Sequence, residues 1–316
     1  MPMEKKKIRI DFKTEEFEFI DKEKGLFRMR MVPDPARYEK RSLNGKEGYF
    51  DKFDGTFLST VVIARAAREM AGLPIYAPRP SIQNLPEYFA QARKRIEESL
   101  ESEVELKPEP DRANAYLQIN AGRKLLFVVL YIDIIKSTQL SRVLSDVAQR
   151  TLITTLAREM SLIVDGNGGY VHKYTGDGLI AFFPAEHNFT GATDSAVDCG
   201  ILMKSFIPAV LNPVLRANQH PPLQFRIGID SGETQIIGMG AKKVKSTLDL
   251  LGYTMNIAAK ICSACRPDQL LIGESVYRTL HVSRKKFFKE ERRSKKEWNY
   301  LDATTSRVYR LFGFRR

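Results

Sequence analysis

The stretch Leu125-Leu-Phe-Val-Val-Leu-Tyr-Ile-Asp133 decides the fold: it is a largely apolar run that ends in a carboxylate. The run is far shorter than the roughly 20 residues that a membrane-spanning helix needs. A short apolar run of this kind is typical of a buried central β-strand. We therefore expect Asp133 to project from the end of such a strand.

A second aspartate lies downstream in the turn Thr175-Gly-Asp-Gly178. Glycines on both sides of Asp177 favour the tip of a β-hairpin. Two carboxylates at neighbouring strand ends can hold two Mg²⁺ or Mn²⁺ ions about 3.5–4 Å apart, which activates an attacking oxygen and stabilises a leaving one. Asp133 and Asp177 are therefore the first candidates for metal ligands.

The pattern of hydrophobic residues around these aspartates alternates strands with long helices. The predicted elements are strand 125–132, helix Leu140–Val164, strands 169–174 and 178–183, helix 190–211, strands 223–230 and 233–238 with a turn at Asp230-Ser-Gly232, helix Thr254–Cys265, strand Gln269–Ile272 and strand Arg307–Leu311. This order predicts an α+β fold of the ferredoxin-like (palm-type) βαββαβ kind, with an antiparallel-rich sheet covered on one face.

The chain divides near residue 121 into two predicted domains. Residues 121–316 form the palm-type domain, and residues 1–110 form an N-terminal extension of unknown role. The extension has a predicted helix at Leu58–Met70 and a second that begins after Asn84, which is three residues before Glu87 as in a capping box. Prolines then mark a linker at 107–112.

Composition sets the broad class. The chain has 316 residues and 43% hydrophobic residues, enough for one large or two modest domains. No stretch is long enough to span a bilayer and the N-terminus lacks an apolar signal core, so we expect no membrane association. Three cysteines agree with a reducing compartment, which predicts a cytoplasmic protein.

The net charge of +12 is concentrated in Arg284–Lys296, where eight basic residues accompany two glutamates. This run could be a solvated basic face, could attract a polyanionic nucleotide, or could bind nucleic acid weakly. Composition does not separate these alternatives. Nucleic-acid binding is the one that we least expect.

Four segments, in this order, resemble the successive motifs of class III nucleotidyl cyclases. They are 127–138 (FVVLYIDIIKST), 168–183 (GGYVHKYTGDGLIAFF), 225–233 (FRIGIDSGE) and 250–260 (LLGYTMNIAAK). The resemblance extends from about residue 123 to 280, roughly half the chain. It implies an enzyme that converts a nucleoside triphosphate to its 3′,5′-cyclic monophosphate and pyrophosphate.

The resemblance also implies roles for individual residues. Asp133 and Asp177 would bind two Mg²⁺ or Mn²⁺ ions per active site, helped by the backbone carbonyl of Ile134. One ion would lower the pKa of the ribose 3′-hydroxyl and the other would bind the triphosphate. The loop that follows, with Ser137 and Thr138, would bind phosphate oxygens at a helix N-terminus, or would simply cap that helix.

Base recognition is expected from Lys173 and Asp249, a combination associated in this family with adenine. Lysine donates to a ring acceptor and aspartate accepts from the exocyclic amine, which favours ATP. Asn256 and Lys260, one helical turn apart, would orient the ribose and stabilise charge on the α-phosphate.

Two departures from the family pattern are visible. Lys260 stands where the family has arginine, so the positive charge is kept without the planar bidentate fork. The family's phosphate-binding lysine near the C-terminus has no counterpart in Asn299–Thr304, although Lys295 or Lys296 could substitute for it.

In the family the metal-binding and base-binding residues meet across a dimer interface. Because this chain carries both sets, the resemblance predicts a homodimer with two shared sites. Three alternatives stay open beside an ATP-specific enzyme. They are a bacterial pyrimidine cyclase that makes cyclic CMP or cyclic UMP in anti-phage signalling, a catalytically silent regulatory module, and a nucleic-acid-binding protein.

Overall fold

The computed structural model describes residues 9–22, 26–70, 82, 84–101, 111–137, 142, 144–186, 189–241, 245–302 and 305–315. The chain folds into two compact units. The smaller unit comprises residues 1–77 together with 278–286, and the larger comprises residues 78–277 together with 287–316. The smaller unit is therefore discontinuous in sequence.

The smaller unit contains two antiparallel sheets and short helices. Its elements are β1 (Phe12–Asp21), β2 (Leu26–Pro33), β3 (Tyr38–Leu43), β4 (Lys46–Asp51), β5 (Phe57–Ser59) and α1 (Thr60–Met70). Strands β1 and β2 form one sheet, and β3, β4 and β5 form the other in that order. A small hydrophobic cluster of Tyr38, Leu58 and Ile63 stabilises the three-stranded sheet and α1.

Buried charges lie beside this cluster. The side chain of Arg37 is 1% exposed and forms ion pairs with Asp11 at 3.0 Å, Asp51 at 2.7 Å and Asp54 at 3.1 Å. Burial opposes its charge, but Tyr38 and the aspartates outweigh burial and raise the pKa of Arg37. One basic residue of the run 284–296, Lys285, belongs to this network. Its side chain is fully buried and its Nζ lies 3.4 Å from Asp54.

The remaining elements belong to the larger unit, with two exceptions. They are α2 (Leu85–Glu101), α3 (Arg112–Ile119), β6 (Lys124–Ile134), α4 (Asp146–Gly166), β7 (Tyr170–Tyr174), β8 (Gly178–Pro184), α5 (Phe189–Phe206), a π-helical turn (Ile207–Leu211), α6 (Asn212–Ala217), β9 (Phe225–Ala241), β10 (Lys245–Leu251), α7 (Tyr253–Ala264), β11 (Gln269–Gly273), α8 (Glu274–Thr279), α9 (Val282–Lys285), β12 (Phe288–Glu290) and β13 (Leu311–Phe314). The exceptions are α9 and the end of α8, which belong to the smaller unit.

All eight strands given for the larger unit join one sheet. The order is β12-β13-β11-β9-β6-β8-β7, and β10 pairs with the far end of β9. The pairs are antiparallel except for β11 with β9, which is parallel. Strand β6 is central, as its apolar sequence predicted. The α+β palm-type fold predicted from the sequence is confirmed.

Helices cover both faces of this sheet, so the expectation of one covered face is wrong. Successive side chains of a strand point to opposite faces. A Cβ at Gly228 of β9 would meet α7, whereas the neighbouring side chains of Ile227 and Ile229 pack against Gly200 of α5. Helix α7 therefore lies on one face and α5 on the other.

Three predicted strands differ from the structure. The segment predicted as a strand pair with a turn at Asp230-Ser-Gly232 is one continuous strand, β9, which pairs with β6 straight through these residues. The last strand is Leu311–Phe314, not Arg307–Leu311. Helix α4 begins at Asp146, where Ser145 accepts a hydrogen bond from the Ala148 N–H.

The predicted division into residues 1–110 and 121–316 differs in outline from these units. Helix α2 lies in the larger unit, and residues 278–286 lie in the smaller one. The division into these two domains stays a prediction. Within the described ranges, one helical stretch, Phe189–Ala217, is long and apolar enough to cross a membrane by length and composition alone, and 61% of its apolar window is buried. Such burial is what a core helix of the sheet requires.

Candidate active site

Two carboxylates lie at adjacent strand ends. Asp133 is the penultimate residue of β6 and pairs in register with Gly178, the first residue of β8. Asp177 immediately precedes Gly178. The hairpin turn that contains Asp177 is closed by the Thr175 N–H, which donates to the Gly178 carbonyl at 2.9 Å. The sequence prediction for the positions of both aspartates within the fold agrees with this arrangement.

The two glycines of this hairpin serve different purposes. Gly176 has φ +87°, a left-handed conformation that glycine adopts without steric cost. Gly178 is required for close packing instead, because a Cβ there would lie 2.5 Å from the carbonyl oxygen of Ile132 on β6. Both glycines therefore bring Asp177 close to the end of β6.

Arg226 is a site residue that the sequence interpretation did not single out. It pairs with Asp133 across β6 and β9, and its guanidinium Nη2 donates to Asp133 Oδ2. Its Nε is buried without a hydrogen-bond partner among the described residues. The residue was visible in the motif Phe225-Arg-Ile-Gly228, but only the strand register shows that it faces Asp133.

The donor set fits divalent cations of the Mg²⁺ type. Asp133, Asp177 and the backbone carbonyl of Ile134 offer oxygen atoms only. Mg²⁺ is commonly held by one or two carboxylates, with water and substrate phosphates completing its coordination. In the described part of the chain no three His, Cys, Asp or Glu side chains cluster to hold a metal by themselves. A site of this kind therefore depends on the substrate for further ligands.

The predicted phosphate loop is only partly described. Lys136 has φ +62°, a conformation that is uncommon for a residue with a side chain. Ser137 follows it and is described, whereas Thr138 lies outside the described residues. Phosphate binding by Ser137 and Thr138 stays a prediction.

The predicted base-reading pair is joined by a direct ion pair. Lys173 Nζ lies 2.7 Å from Asp249 Oδ2, and His172 Nε2 lies 2.7 Å from Asp249 Oδ1. Burial alone would raise the pKa of Asp249, but the hydrogen bonds from Lys173 and His172 outweigh burial and lower it. Asp249 is therefore an ionised acceptor. His172 was missed from the sequence.

A tyrosine stands close to this group. Tyr131 of β6 points to the same face as Asp133, two residues away. Burial and the charge of Asp249 raise the pKa of Tyr131 to about 12. Its phenol therefore stays neutral and can act as a hydrogen-bond donor near the base-reading pair.

Asn256 and Lys260 lie on α7 with exposed side chains, one turn apart as predicted. Among the described residues, no hydrogen bond or ion pair joins Asn256, Lys260, Lys173 or Asp249 to Asp133 or Asp177. The single chain thus presents two separate groups of predicted site residues. Lys295 and Lys296 are exposed in a turn before Trp298, and their predicted role is untested.

A palm-type sheet with two carboxylates at adjacent strand ends defines a class of phosphoryl-transfer domain. Residues 122–300 match the model of the adenylate and guanylate cyclase catalytic domain. This match covers more than half of the chain, so the protein belongs to that family, and it carries a nucleotidyl cyclase catalytic domain. The resemblance seen in the sequence is confirmed.

Sequence identity to individual relatives is low. A cytidylate cyclase of Escherichia coli is 24% identical over 257 residues, 78% of this chain and 51% of that protein. An adenylate cyclase of Anabaena cylindrica is 26% identical over 173 residues, 52% of this chain and 32% of that protein. The chain thus spans about a third to a half of the length of these relatives.

A solved structure shows the same fold. The adenylyl cyclase CyaB from P. aeruginosa is 22% identical, with a TM-score of 0.52 over 61% of this chain and 95% of that chain. At this identity the similarity concerns the fold alone.

Proposed function

We propose that this protein cyclises a nucleoside triphosphate to its 3′,5′-cyclic monophosphate with release of pyrophosphate, using Asp133 and Asp177 as ligands for two Mg²⁺ or Mn²⁺ ions. The observation that carries the proposal is the register of β6 with β8. It pairs Asp133 with Gly178, the residue that follows Asp177, so that the two aspartates lie at adjacent strand ends of a cyclase catalytic domain.

The chain's own groups would bind and orient the substrate. The metal ions, when bound, supply the charge that lowers the pKa of the 3′-hydroxyl and offsets the negative charge of the triphosphate. A cation bound at Asp133 would compete with the guanidinium of Arg226 for the same carboxylate. Arg226 would then be free to bind phosphate oxygens, for which its planar fork is well suited.

A second copy of the chain would complete each site. The metal-site aspartates lack contacts to the base-reading and helix residues within the described chain, which is consistent with their meeting across a homodimer. Neither Asp133→Ala nor Asn256→Ala should be active alone. An equimolar mixture should regain activity, because one site of each mixed dimer would be intact. Failure to regain activity, with mixed dimers demonstrated by differential tags, would contradict shared sites.

ATP is the substrate that we favour, since Lys173 and Asp249 together match adenine. The test is incubation of the purified protein with ATP, GTP, CTP or UTP and Mn²⁺, followed by chromatography of the products. Asp133→Asn is the matched control, since it keeps the shape of the side chain and removes its charge. We expect cyclic AMP from the wild-type protein and no cyclic product from Asp133→Asn. The absence of any cyclic product would favour a silent regulatory module.

A pyrimidine cyclase is the second candidate. The match to the cytidylate cyclase of E. coli extends over 78% of this chain, well beyond the 122–300 segment of the family model. A second relative with that name, from Staphylococcus aureus, is 22% identical over 49% of the chain. Cyclic CMP or cyclic UMP in the same assay would establish this alternative as far as the substrate is concerned. The predicted role in anti-phage signalling would need a separate infection assay.

A further inference from the structure

Strand β7 contains a bulge at His172. Val171 pairs with Ala181 and Lys173 pairs with the next residue, Ile180, so that His172 is an extra residue without its own partner on β8. Consecutive side chains of a regular strand point to opposite faces. A bulge removes this alternation and can re-aim a side chain. Here it allows both His172 and Lys173 to reach the same carboxylate.

The hydrogen bonds to that carboxylate leave one direction open. Asp249 Oδ1 accepts from His172 Nε2 at 2.7 Å and from the Leu250 N–H at 2.8 Å. Among the described residues, Lys173 Nζ is the one donor to Oδ2. Each carboxylate oxygen has two lone-pair directions. Asp249 can therefore take one more donor, at Oδ2, directly beside the remaining ammonium protons of Lys173.

His172 is suited to hold this arrangement. Its side chain is 3% exposed, and its Nδ1 is buried without a partner among the described residues. A charged ring would place a second N–H at Nδ1, where no described residue accepts it, so the neutral ring with hydrogen on Nε2 is favoured. Burial accordingly lowers the pKa of His172, although Asp249 opposes this. The ring is thus a fixed donor to Asp249.

We infer that His172 is a positioning residue that holds Asp249 as an acceptor and thereby selects amino bases, adenine or cytosine, against keto bases. The inference rests on the proposed role of Asp249 as acceptor of the exocyclic amine. Adenine and cytosine both present an amine next to a bare ring nitrogen. Guanine and uracil present a carbonyl oxygen at that position, which would face Oδ2 as one acceptor against another. Without His172, the carboxylate could rotate and lose this discrimination.

The test measures binding of the four 3′-deoxynucleoside triphosphates, which lack the attacking hydroxyl, by calorimetry with Mn²⁺. Wild type should bind at least one amino-base analogue about tenfold or more tightly than either keto-base analogue, the range expected of a hydrogen bond to a charged group. His172→Leu should reduce this preference by about tenfold. His172→Gln keeps an N–H donor and should retain most of it.

A control separates positioning from general damage. His220→Leu changes a histidine of the same unit that is outside the site, and it should leave all four affinities unchanged. Equal weakening of all four analogues in His172→Leu would show a merely structural role and overturn the inference. So would an unchanged preference in that variant, or a wild type that binds keto bases as tightly as amino bases.

The binding test of His172 can succeed or fail independently of the test of cyclase activity, because the 3′-deoxy analogues bind without having to react. A preference for amino bases without cyclic product from natural nucleotides would refute the cyclase activity and leave the role of His172 standing. Efficient formation of cyclic GMP or cyclic UMP would support the cyclase activity and overturn the inferred role of His172.

Discussion

Replacing Gly228 by alanine should displace helix α7 from the sheet. Gly228 lies on β9 beneath the helix that carries Asn256 and Lys260. A Cβ at this position would lie 2.3 Å from the backbone N of Cys262 and 2.8 Å from the carbonyl oxygen of Ala258. Both obstacles are backbone atoms, so no side-chain rotation can relieve the overlap.

The geometry sets the size of the effect. Non-bonded heavy atoms prefer separations of about 3.5–4.0 Å, so the helix must move by about 1 Å. Overpacking of a core costs about 1–3 kcal/mol, and a backbone obstacle corresponds to the upper end, about 3 kcal/mol. Displacement of catalytic groups by about 1 Å can lower the rate about 100-fold. Stability and activity should therefore fall together.

The chain contains its own reporter for this change. Trp298 is the single tryptophan, is 4% exposed, and packs in one cluster with Ile257 and Ile261 of α7. Urea unfolding followed by Trp298 fluorescence therefore measures the stability of this packing. Gly238→Ala is the matched control on the same strand, because a Cβ there meets nothing within 4 Å.

The expected result is a free energy of unfolding about 3 kcal/mol lower for Gly228→Ala, and within about 0.5 kcal/mol of wild type for Gly238→Ala. Equal unfolding midpoints for the two variants would refute the packing argument. Full cyclase activity in a destabilised Gly228→Ala would refute the link between the position of α7 and catalysis.

Three other changes have defined outcomes. Arg37→Met should lower the stability of the smaller unit by about 3–5 kcal/mol, since buried aspartates lose their counter-charge; circular dichroism in urea measures this against the exposed control Arg41→Met. EDTA should abolish cyclisation and excess Mn²⁺ restore it, whereas Asp177→Asn should stay more than about 100-fold less active at any Mn²⁺ concentration, because even outer-shell metal partners contribute about 10–100-fold. Lowering the pH below about 6.5 should destabilise wild type more than His172→Gln, as measured by urea unfolding followed by Trp298 fluorescence. The reason is that burial lowers the pKa of His172 in the folded state, so that below this pH the unfolded state binds more protons than the folded state.

Elements with a strong local signal could be predicted from sequence. The apolar run before Asp133 became the central strand, and the glycines around Asp177 marked a true hairpin tip. The predicted helix Thr254–Cys265 is present as Tyr253–Ala264. In each case the periodicity or turn chemistry that specifies the element lies within the element itself.

Strand β9 shows where local signals fail. Asp230-Ser-Gly232 has the composition of a turn. In the structure Asp230 is 2% exposed and accepts a hydrogen bond from the Tyr309 hydroxyl at 2.6 Å. Gly232 makes room for Thr254 of α7, whose Oγ1 would lie 2.3 Å from a Cβ. These residues serve contacts with distant segments, which a local pattern does not contain.

The missed site residues have a related explanation. Arg226 faces Asp133 only through the register of two strands that are far apart in sequence. His172 reaches Asp249 only because of a bulge. The basic run offers a third case, since Lys285 is fully buried against Asp54, which lies 231 positions earlier in the chain. Partners of this kind are set by tertiary structure.

The discontinuity of the smaller unit has a practical consequence for dissecting the protein. A protease that cuts the chain once between residues 78 and 84 would not release that unit, because residues 278–286 remain covalently part of the other fragment. Conversely, a shortened gene that begins after residue 77 would encode Lys285 without the carboxylate that it pairs with. Separating the two units genetically therefore requires replacing residues 278–286 as well as removing the N-terminal residues.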